Sequence, residues 1–287
     1  MGFMKQEEIW EHSVEAGLRK VHLPIRSQLV LGFLGGAYIS LGFLLYIRVS
    51  AAVPPAWSDF GGVLGALFFP LGLIATLLAG GELLTGNMMA VAAACFSGRL
   101  GLRQLMLNWL IITLGNFAGA LFVAYMFGHQ AGLTEHGIYL AKLVKIVHAK
   151  TAEPFLQALI SGIGCNWLVG LAVWLCYGAK DGAGKIIGIW FPTMAFVAIG
   201  FQHVVANMFI IPAAIFAGQA TWLEYLNNFV PVYIGNALGG ALFVAGLYRL
   251  ADRKLWTGAS PSSLKSSSST KSVSHIQSGS SSSHLRE

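Results

Sequence analysis

Charge is what this sequence has least of. Only 10% of its 287 residues are Asp, Glu, Lys or Arg, whereas ordinary soluble domains carry about 25%. So few charges do not build a surface that faces water, and 55% of the residues are hydrophobic. The composition therefore excludes an ordinary soluble enzyme and predicts a polytopic membrane protein that lies in a lipid bilayer. Basic residues exceed acidic ones by 18 to 12, but they lie between the apolar stretches, so we expect topology signals and no nucleic-acid partner.

Cysteine is also scarce. The three cysteines are odd in number and lie inside apolar stretches, so we expect small buried hydrophobic side chains and no disulfide framework. They are Cys95, Cys165 and Cys176. We expect no cofactor and no metal site.

Six apolar stretches reach the roughly 20 residues that a helix needs to cross a bilayer. They lie near residues 28–49, 61–97, 104–128, 154–178, 185–217 and 229–250. The second and fifth are too long for one crossing, and each is interrupted by glycine and polar residues, at 80–87 and 200–207. The pattern predicts an all-α membrane protein of six spans whose second and fifth helices are broken.

The segments outside the spans predict the orientation. Residues 1–26 indicate an amphipathic charged helix suited to lie on the membrane, and not a removable signal peptide. Most basic residues fall on the side that holds both ends of the chain, so both termini are predicted to be cytoplasmic in a cell (plasma, or inner) membrane. We assign residues 1–256 to a transmembrane channel domain, and residues 257–287 to a disordered Ser-rich tail or cloning remnant.

The two interruptions repeat at a spacing of 120 residues. The equivalent pairs are Gly80 and Gly200, Glu82 and Gln202, and Asn87 and Asn207. Because three spans per half is an odd number, the second copy must enter the membrane from the opposite face, which predicts two inverted three-helix repeats. The breaks then meet near the midplane, where unwound backbone is tolerated if it lines a pore. The half-helices that follow direct their positive dipole ends toward the centre, which favours an anion.

Glu82 and His203 are nearly the whole ionisable content of the spans, one at each break, and such residues are functional by default. We interpret His203 as a proton or hydrogen-bond donor to the permeating solute, with a neutral histidine that binds loop carbonyls as the alternative. For Glu82 we favour a structural role beside the break. Thr85 is equally suited to bind solute and to cap the next helix, while Asn87 and Asn207 are expected to hold their loops.

Three further features complete the predicted pathway. Asn166 lies well inside the fourth span, so its amide needs a partner, either His203 or Thr85 across the pore or a group on a neighbouring helix. Lys150, just before that span, either draws anions toward an entrance or extends to the membrane surface. Apolar residues flank the breaks and form either a hydrophobic constriction or core packing: Phe69, Leu73 and Phe196.

At these residues the sequence resembles the formate/nitrite transporter family, bacterial pentameric channels whose protomers have an aquaporin-like fold. The likeness covers roughly residues 5–250 and is carried by three segments. They are Gly81-Glu82-Leu83-Leu84-Thr85-Gly86-Asn87, Cys165-Asn166-Trp167-Leu168-Val169 and His203-Val204-Val205-Ala206-Asn207-Met208. The resemblance implies a homopentamer in which every protomer holds its own pore.

The resemblance also implies roles for individual residues. Thr85 and His203 would be the central polar pair, with Asn166 linked to His203 and Lys150 in the outer vestibule. Two hydrophobic constrictions would flank the pair. The cytoplasmic one would consist of Phe69, Leu73 and Phe196, and the outer one of Leu83, Leu84 and Val169.

The family divides into formate, nitrite and hydrosulfide branches. Thr85-Gly86-Asn87 resembles nitrite-type loops, where Gly follows the Thr, and Gln202 departs from members that carry an acid before the His. The chain as a whole resembles formate carriers of Gram-positive bacteria. Formate is therefore the predicted substrate, with nitrite and hydrosulfide as alternatives.

Two other function classes are alternatives to an anion channel. An intramembrane hydrolase would need a nucleophile beside His203, such as Cys165 or Ser161, but no Gly-x-Ser-x-Gly turn is present and the duplicated breaks would be unexplained. A neutral-solute channel of the glycerol or water type has the same architecture but usually carries Asn-Pro-Ala loops, and neither break contains proline. The sequence therefore favours a channel for small monovalent anions or their conjugate acids, and not an enzyme.

Overall fold

The computed structural model describes residues 2–251, which are helical except for turns, loops and one isolated β-bridge. Six helical segments in this part of the chain are long and apolar enough to cross a membrane. They are Ile25–Ala51, Phe60–Gly80, Leu102–Gln130, Phe155–Gly178, Gly182–Ile199 and Trp222–Leu250. Residues up to Arg249 form one compact unit, and of the unit that begins at Leu250 only residues 250 and 251 are described. The predicted Ser-rich tail, residues 257–287, lies outside the described residues.

The helices are numbered in chain order. The first half contains α1 (Gln6–His22), α2 (Ile25–Ala51), α3 (Ser58–Phe68), α4 (Leu71–Ala75), α5 (Leu84–Phe96) and α6 (Leu102–Val123). The second half contains α7 (Gly137–Thr151), α8 (Phe155–Gly178), α9 (Gly182–Ile199), α10 (Val204–Phe216), α11 (Trp222–Leu238) and α12 (Leu247–Leu250). π-Helical segments extend α4 to Gly80 and α6 to Gln130, and another joins α11 to α12.

The predicted six-span, all-α architecture with a broken second and fifth helix is confirmed. Each break is shorter than predicted, because the chain leaves helical geometry only at residues 81–83 and 200–203. Gly80 and Gly200 have φ angles of 97° and 92°, a left-handed conformation that glycine adopts without strain. Three polar residues assigned to the interruptions therefore lie in the first turns of α5 and α10: Thr85, Asn87 and Asn207.

The internal repeat extends beyond the spans. Three residues around the start of α2 recur around the start of α8 at a spacing of 130 residues. The pairs are Lys20 and Lys150, Pro24 and Pro154, and Gly32 and Gly162. Helix α7 is therefore the counterpart of α1, and each half consists of one short helix followed by three spans. The sequence prediction missed this correspondence because it aligned the breaks alone, at a spacing of 120.

Helices α1 and α7 lie at opposite ends of the helix bundle. α1 directly precedes the start of α2, whereas Arg48, near the other end of α2, stacks on the ring of Tyr139 in α7 at 3.4 Å. Arg48 also donates a hydrogen bond to the carbonyl of Leu133, just before α7, at 3.2 Å. We refer to the two ends as the α1 face and the α7 face.

Glycine allows the first and third spans of each half to pack closely. A Cβ atom at Gly36 of α2 would collide with the backbone of Asn116 in α6, and one at Gly239 would collide with the backbone of Ile163 in α8. These contacts bring polar backbone and side-chain groups of neighbouring spans within hydrogen-bonding range. The break in each half is held by such groups.

Helix α1 packs on the protein instead of offering its apolar face to lipid. Ile9, Trp10 and Val14 are buried, and Gly17 lies directly against the backbone of Ala90 in α5. The segment predicted as an amphipathic helix, residues 1–26, contains the helix Gln6–His22. Its apolar face covers α5.

Candidate functional site

Polar side chains from two helices hold the first break. The Asn116 amide accepts a hydrogen bond from the N–H of Leu84 (2.9 Å) and donates one to the carbonyl of Glu82 (2.8 Å). Asn87 donates to the Glu82 carboxylate (2.8 Å) and to the Asn108 side-chain oxygen (3.0 Å). The Asn116 bonds satisfy backbone groups that the interrupted helix leaves without partners, and the Asn87 bonds link the side chains around them.

The second break is held by the equivalent residues. The Asn236 amide accepts from the N–H of Val204 (2.9 Å) and donates to the carbonyl of Gln202 (3.0 Å). Asn207 donates to the side-chain oxygens of Gln202 and Asn228, both at 2.8 Å. Each bond has a counterpart in the first half, so the loops that approach each other in the bundle have the same scaffold.

Thr85 and His203 meet where the two breaks face each other. The Thr85 hydroxyl oxygen lies 3.0 Å from Nε2 of His203, and both residues are buried. Thr85 is in the first turn of α5, and His203 is the N-cap of α10. Both half-helices therefore begin at this contact, and their positive dipole ends favour a negative charge there.

The hydrogen bond at the other ring nitrogen of His203 indicates which nitrogen carries the proton. Nδ1 accepts a hydrogen bond from the N–H of Ala206 (3.0 Å), so this nitrogen carries no proton. In a neutral imidazole the proton is then on Nε2, which donates to the Thr85 hydroxyl, an assignment that follows from the hydrogen-bond network. A second proton on Nδ1 would face the Ala206 N–H donor. The geometry thus favours a neutral histidine that donates a hydrogen bond over one that releases a proton.

Asn166 binds the central pair through the backbone. Its amide nitrogen donates to the carbonyls of Asn236 (2.7 Å) and Thr85 (3.2 Å). The amide oxygen is buried and has no hydrogen-bond partner among the described residues. The expected link between Asn166 and His203 is therefore indirect and runs through Thr85.

An aromatic cluster covers one side of His203. The Phe196 ring stacks on the imidazole with centroids 5.6 Å apart, and Phe69 meets Phe196 edge-on, also at 5.6 Å. Phe43 packs against Phe69 at 5.5 Å, and Leu73 is fully buried one turn further along. These apolar side chains leave no hydrogen-bond partner for an ion that passes them.

A cavity of about 280 Å³ lies between this aromatic cluster and α7. Phe196 and His203 line it together with charged residues at the end of α7 and just beyond: Lys142, Lys145, Lys150 and Glu153. Lys150 donates to the Gln202 side-chain oxygen at 3.3 Å. Burial lowers the pKa of Lys150 below its usual value, although the nearby Cys165 and Glu153 oppose this shift. The cavity therefore places cationic groups within reach of the central pair.

The residues predicted to form the cytoplasmic constriction lie toward the α7 face. Phe196 lines the cavity that contains the α7 lysines, and Phe69 contacts Phe196. The sequence interpretation placed Phe69, Leu73 and Phe196 on the cytoplasmic side and α7 on the outer side, and these two assignments exclude each other. The reason is that α9 runs beyond the central pair before it breaks, so a residue that precedes the break lies past the midpoint.

The second predicted constriction lies toward the α1 face. Leu83 and Leu84 directly follow Glu82, whose carboxylate binds Lys20 of α1 at 2.9 Å. Both leucines are buried, and so is Val169, which lies in the part of α8 that leads to Gly178 beside the N-terminal segment. If α7 lies outside the cell, the residues predicted for the outer constriction therefore lie on the cytoplasmic side of the central pair.

Sequence reasoning missed several residues that hold the site. Lys20 is the clearest of them. Burial opposes its positive charge, but the attraction of the Glu82 carboxylate prevails and raises the pKa of Lys20 above its usual value. The role of four asparagines of α6 and α11 in holding the breaks was also missed, although their spacing of 120 residues signals it: Asn108, Asn116, Asn228 and Asn236.

The nucleophiles considered for a hydrolase do not contact His203. Its two ring nitrogens are occupied by Thr85 and Ala206. The Ser161 hydroxyl accepts a backbone N–H of the second break at 3.0 Å, and Cys165 is fully buried in α8. Within residues 2–251 no serine or cysteine is hydrogen-bonded to His203, so neither Ser161 nor Cys165 forms a nucleophile–base pair with it.

Comparison with known proteins agrees with this architecture. A family model described as Formate/nitrite transporter matches residues 7–250. The uncharacterized transporter YrhG of Bacillus subtilis (strain 168) is 58% identical over 254 residues, which cover 88% of this chain and 96% of that protein. The formate channel BtFdhC of Bacillus thuringiensis is 56% identical over 248 residues, which cover 86% of this chain and 95% of that protein.

A solved structure shares the fold. It is described as a pentameric formate channel with formate bound, and it superposes with a TM-score of 0.70 at 28% sequence identity. The match covers 79% of this chain and 97% of the solved chain. The similarity therefore extends over nearly the whole of that protein.

Proposed function

Because the chain belongs to the formate/nitrite transporter family, we propose that it conducts formate across a cell membrane, as the anion or as its conjugate acid. As a member of that family it is a multi-pass membrane channel or transporter and not an enzyme. The buried contact of Thr85 with His203, at the start of two half-helices, carries the proposal. The relative named as a formate channel supports formate over nitrite and hydrosulfide.

The central pair supplies two hydrogen-bond donors for a small anion. The Nε2–H group of His203 donates to the Thr85 hydroxyl when no solute is present, and the hydroxyl hydrogen of Thr85 is free to turn toward the pathway. A formate ion that replaces this contact accepts one hydrogen bond from each donor with its two oxygens. The ion loses several kcal/mol of hydration in the membrane, and these donors and the helix dipoles compensate part of that loss.

The surroundings of the pair control what passes. On the α7 face, an anion attracted by Lys150 enters the cavity that His203 and Phe196 line. We place the constriction of Phe69, Leu73 and Phe196 beside this cavity, because Phe69 contacts Phe196 there. On the α1 face, the path leads past another set of buried apolar residues: Leu83, Leu84 and Val169. Apolar constrictions disfavour hydrated and multiply charged ions, so we expect selection of small monovalent anions or neutral acids.

The orientation and assembly are part of the proposal. We place both termini in the cytoplasm, supported by the bias of basic residues toward the α1 face. The cavity between the aromatic cluster and α7, which we call the α7 vestibule, then opens to the outside. We propose a homopentamer with one pore in each protomer, supported by the pentameric solved structure of similar fold. A native mass that corresponds to a stable monomer or dimer would contradict this assembly.

Flux into liposomes that contain the purified protein tests the substrate. We expect formate to pass fastest, with nitrite as the closest competitor because it has the same bent shape and two oxygens. Hydrosulfide and lactate complete the anion series, and glycerol reports on the neutral-solute alternative. Passage of glycerol as readily as formate, with nitrite excluded, would overturn the proposal.

A further inference from the structure

The two breaks bind equivalent lysines with different chemical groups. At the first, Lys20 lies 2.9 Å from both oxygens of the Glu82 carboxylate. At the second, Lys150 donates to the Gln202 amide oxygen at 3.3 Å. An ion pair has no net charge, whereas an amide partner does not neutralise the charge of a lysine.

The neighbouring charges do not remove this difference. Glu153 lines the same cavity as Lys150, but no ion pair within 4.0 Å joins them among the described residues. Lys142 and Lys145 add two more cationic groups to the cavity, which also borders His203. One carboxylate therefore faces three lysines on the α7 face.

The asparagine of each scaffold donates equally well to a carboxylate, at Glu82, and to an amide, at Gln202. Asn207 donates to the Gln202 amide at 2.8 Å, the same distance at which Asn87 donates to the Glu82 carboxylate. Either residue therefore accepts the bond from the asparagine, and the Gln202 amide in addition donates to the Lys150 carbonyl at 3.1 Å. The exchange of Glu for Gln also changes the charge beside the pathway.

We propose that the Glu82/Gln202 difference makes the pore electrostatically asymmetric, so that a small anion loads from the α7 face at lower concentration than from the α1 face. The inference rests on the proposed function and assigns a positioning role to Gln202, which holds Lys150 without neutralising it. A cleft with low-dielectric walls and uncompensated charge of one sign concentrates counter-ions and raises their rate of association. At the break on the α1 face, Glu82 neutralises Lys20.

Thermodynamics determines how the asymmetry must appear. Without a membrane potential or pH gradient, a passive pathway has the same ratio of maximal rate to half-saturation concentration in both directions. Faster loading from the α7 face therefore lowers the half-saturation concentration and the maximal rate for that direction together. The measurable signature is a difference in half-saturation between the two faces with an unchanged ratio.

Right-side-out and inside-out vesicles from the same cells measure the two directions separately. A C-terminal epitope tag identifies the exposed face, and labelled formate is the probe. For the unsubstituted protein we expect the half-saturation concentration at the α7 face to be about three- to tenfold lower than at the α1 face. Added salt should reduce the difference, because it screens the charges.

Exchange of the two residues tests the cause. Gln202→Glu should raise the half-saturation concentration at the α7 face, and Glu82→Gln should lower it at the α1 face. The double variant E82Q/Q202E should reverse the order of the two faces. Matched controls carry the same charge changes on the same faces at exposed positions, Gln219→Glu and Glu15→Gln, and should leave both values unchanged.

Three results would overturn the inference. Equal half-saturation at the two faces, with normal formate flux, would remove the asymmetry but leave the proposed function. An asymmetry that persists in Gln202→Glu protein of normal oligomer size would remove Gln202 as its cause. Absence of flux for every small anion in both vesicle types would overturn the proposed function and this inference together.

Discussion

The two halves of the molecule hold their breaks alike but place different side chains on the pathway. The asparagines that bind the broken backbone recur in both halves, and so do the glycines before each break. The residues that meet at the centre do not recur, because the equivalent of His203 is Leu83 and the equivalent of Thr85 is Val205. Each copy therefore contributes one polar group, and the site forms only where the copies meet.

This comparison separates two kinds of polar residue in a membrane interior. Residues that recur satisfy backbone groups, a requirement that both breaks share because both interrupt a helix away from water. Residues that differ between the halves are not needed by either break for folding, since the other half folds without them. A difference between repeats is therefore a better indicator of function here than polarity alone.

The largest effect is expected from a recurring residue. Asn116→Leu leaves the N–H of Leu84 and the carbonyls of Glu82 and Gly32 without their partner. Each buried unsatisfied group costs about 1–3 kcal/mol, against a total stability of about 5–15 kcal/mol for a typical domain. We expect loss of the folded oligomer, measured by size-exclusion chromatography and thermal unfolding in detergent.

The equivalent substitution tests the symmetry of the scaffold. Asn236→Leu should be as damaging as Asn116→Leu, since it removes the same three bonds from the second break. Asn227→Leu is the matched control, because Asn227 is exposed on the same helix as Asn236. Normal thermal stability of either buried variant would show that the asparagines do not hold the breaks.

The next largest effect is expected on conduction alone. His203→Leu makes the second break resemble the first, where Leu83 precedes α5 without a side-chain cap. The fold should therefore persist, while loss of a hydrogen bond to a charged solute, worth about 1.5–3 kcal/mol, lowers formate flux about 10- to 100-fold. Liposome flux and oligomer size are measured on the same preparation.

A second substitution at this position separates capping from conduction. His203→Asn restores a side-chain acceptor for the N–H of Ala206 but is too short to reproduce the contact with Thr85. We expect its thermal stability to match that of the unsubstituted protein and its flux to stay as low as that of His203→Leu. Full flux in either variant would remove His203 from the mechanism.

Much of this fold follows from the order of residues in the sequence. The lengths of the apolar stretches predict six spans, because a helix needs about 20 residues to cross a bilayer. Two stretches are too long for one crossing and contain internal glycine, which predicts the two breaks. Gly80 and Asn87 recur after 120 residues, and three spans per half then predict the inversion. That symmetry predicts that the breaks meet near the midplane, and the pairing of Thr85 with His203 there is what the resemblance to the family implies.

Other features depend on distances that the sequence does not contain. Whether Phe69 and Phe196 lie toward the α1 face or the α7 face depends on how far α9 runs before it breaks. The sequence is apolar on both sides of that point, so composition does not predict the face. The ion pair of Lys20 with Glu82 joins a helix outside the membrane to a loop 62 residues away. Its only sequence signal is the parallel between Lys20 and Lys150, at a spacing that differs from that of the breaks.

A smaller effect is expected at the other member of the central pair. Thr85→Val introduces the residue that the second half has at the equivalent position, Val205, which is fully buried there. The shape of the side chain is kept and one hydroxyl donor is lost, so we expect formate flux to fall about three- to tenfold without loss of stability. Thr85→Ser should restore the flux. Unchanged flux in Thr85→Val would leave His203 as the sole donor.

The smallest effect concerns pH on the α7 face. Burial lowers the pKa of Lys150, and burial together with Lys145 lowers that of Lys142. These lysines therefore lose their charge at lower pH than an exposed lysine, while formate stays ionised throughout the alkaline range. As pH rises toward 10, we expect the half-saturation concentration for formate at the α7 face to rise about two- to threefold and that at the α1 face to change less. Arginine stays charged over this range, so Lys150→Arg should reduce the rise. An equal rise at both faces would place the titrating group elsewhere than in the α7 vestibule.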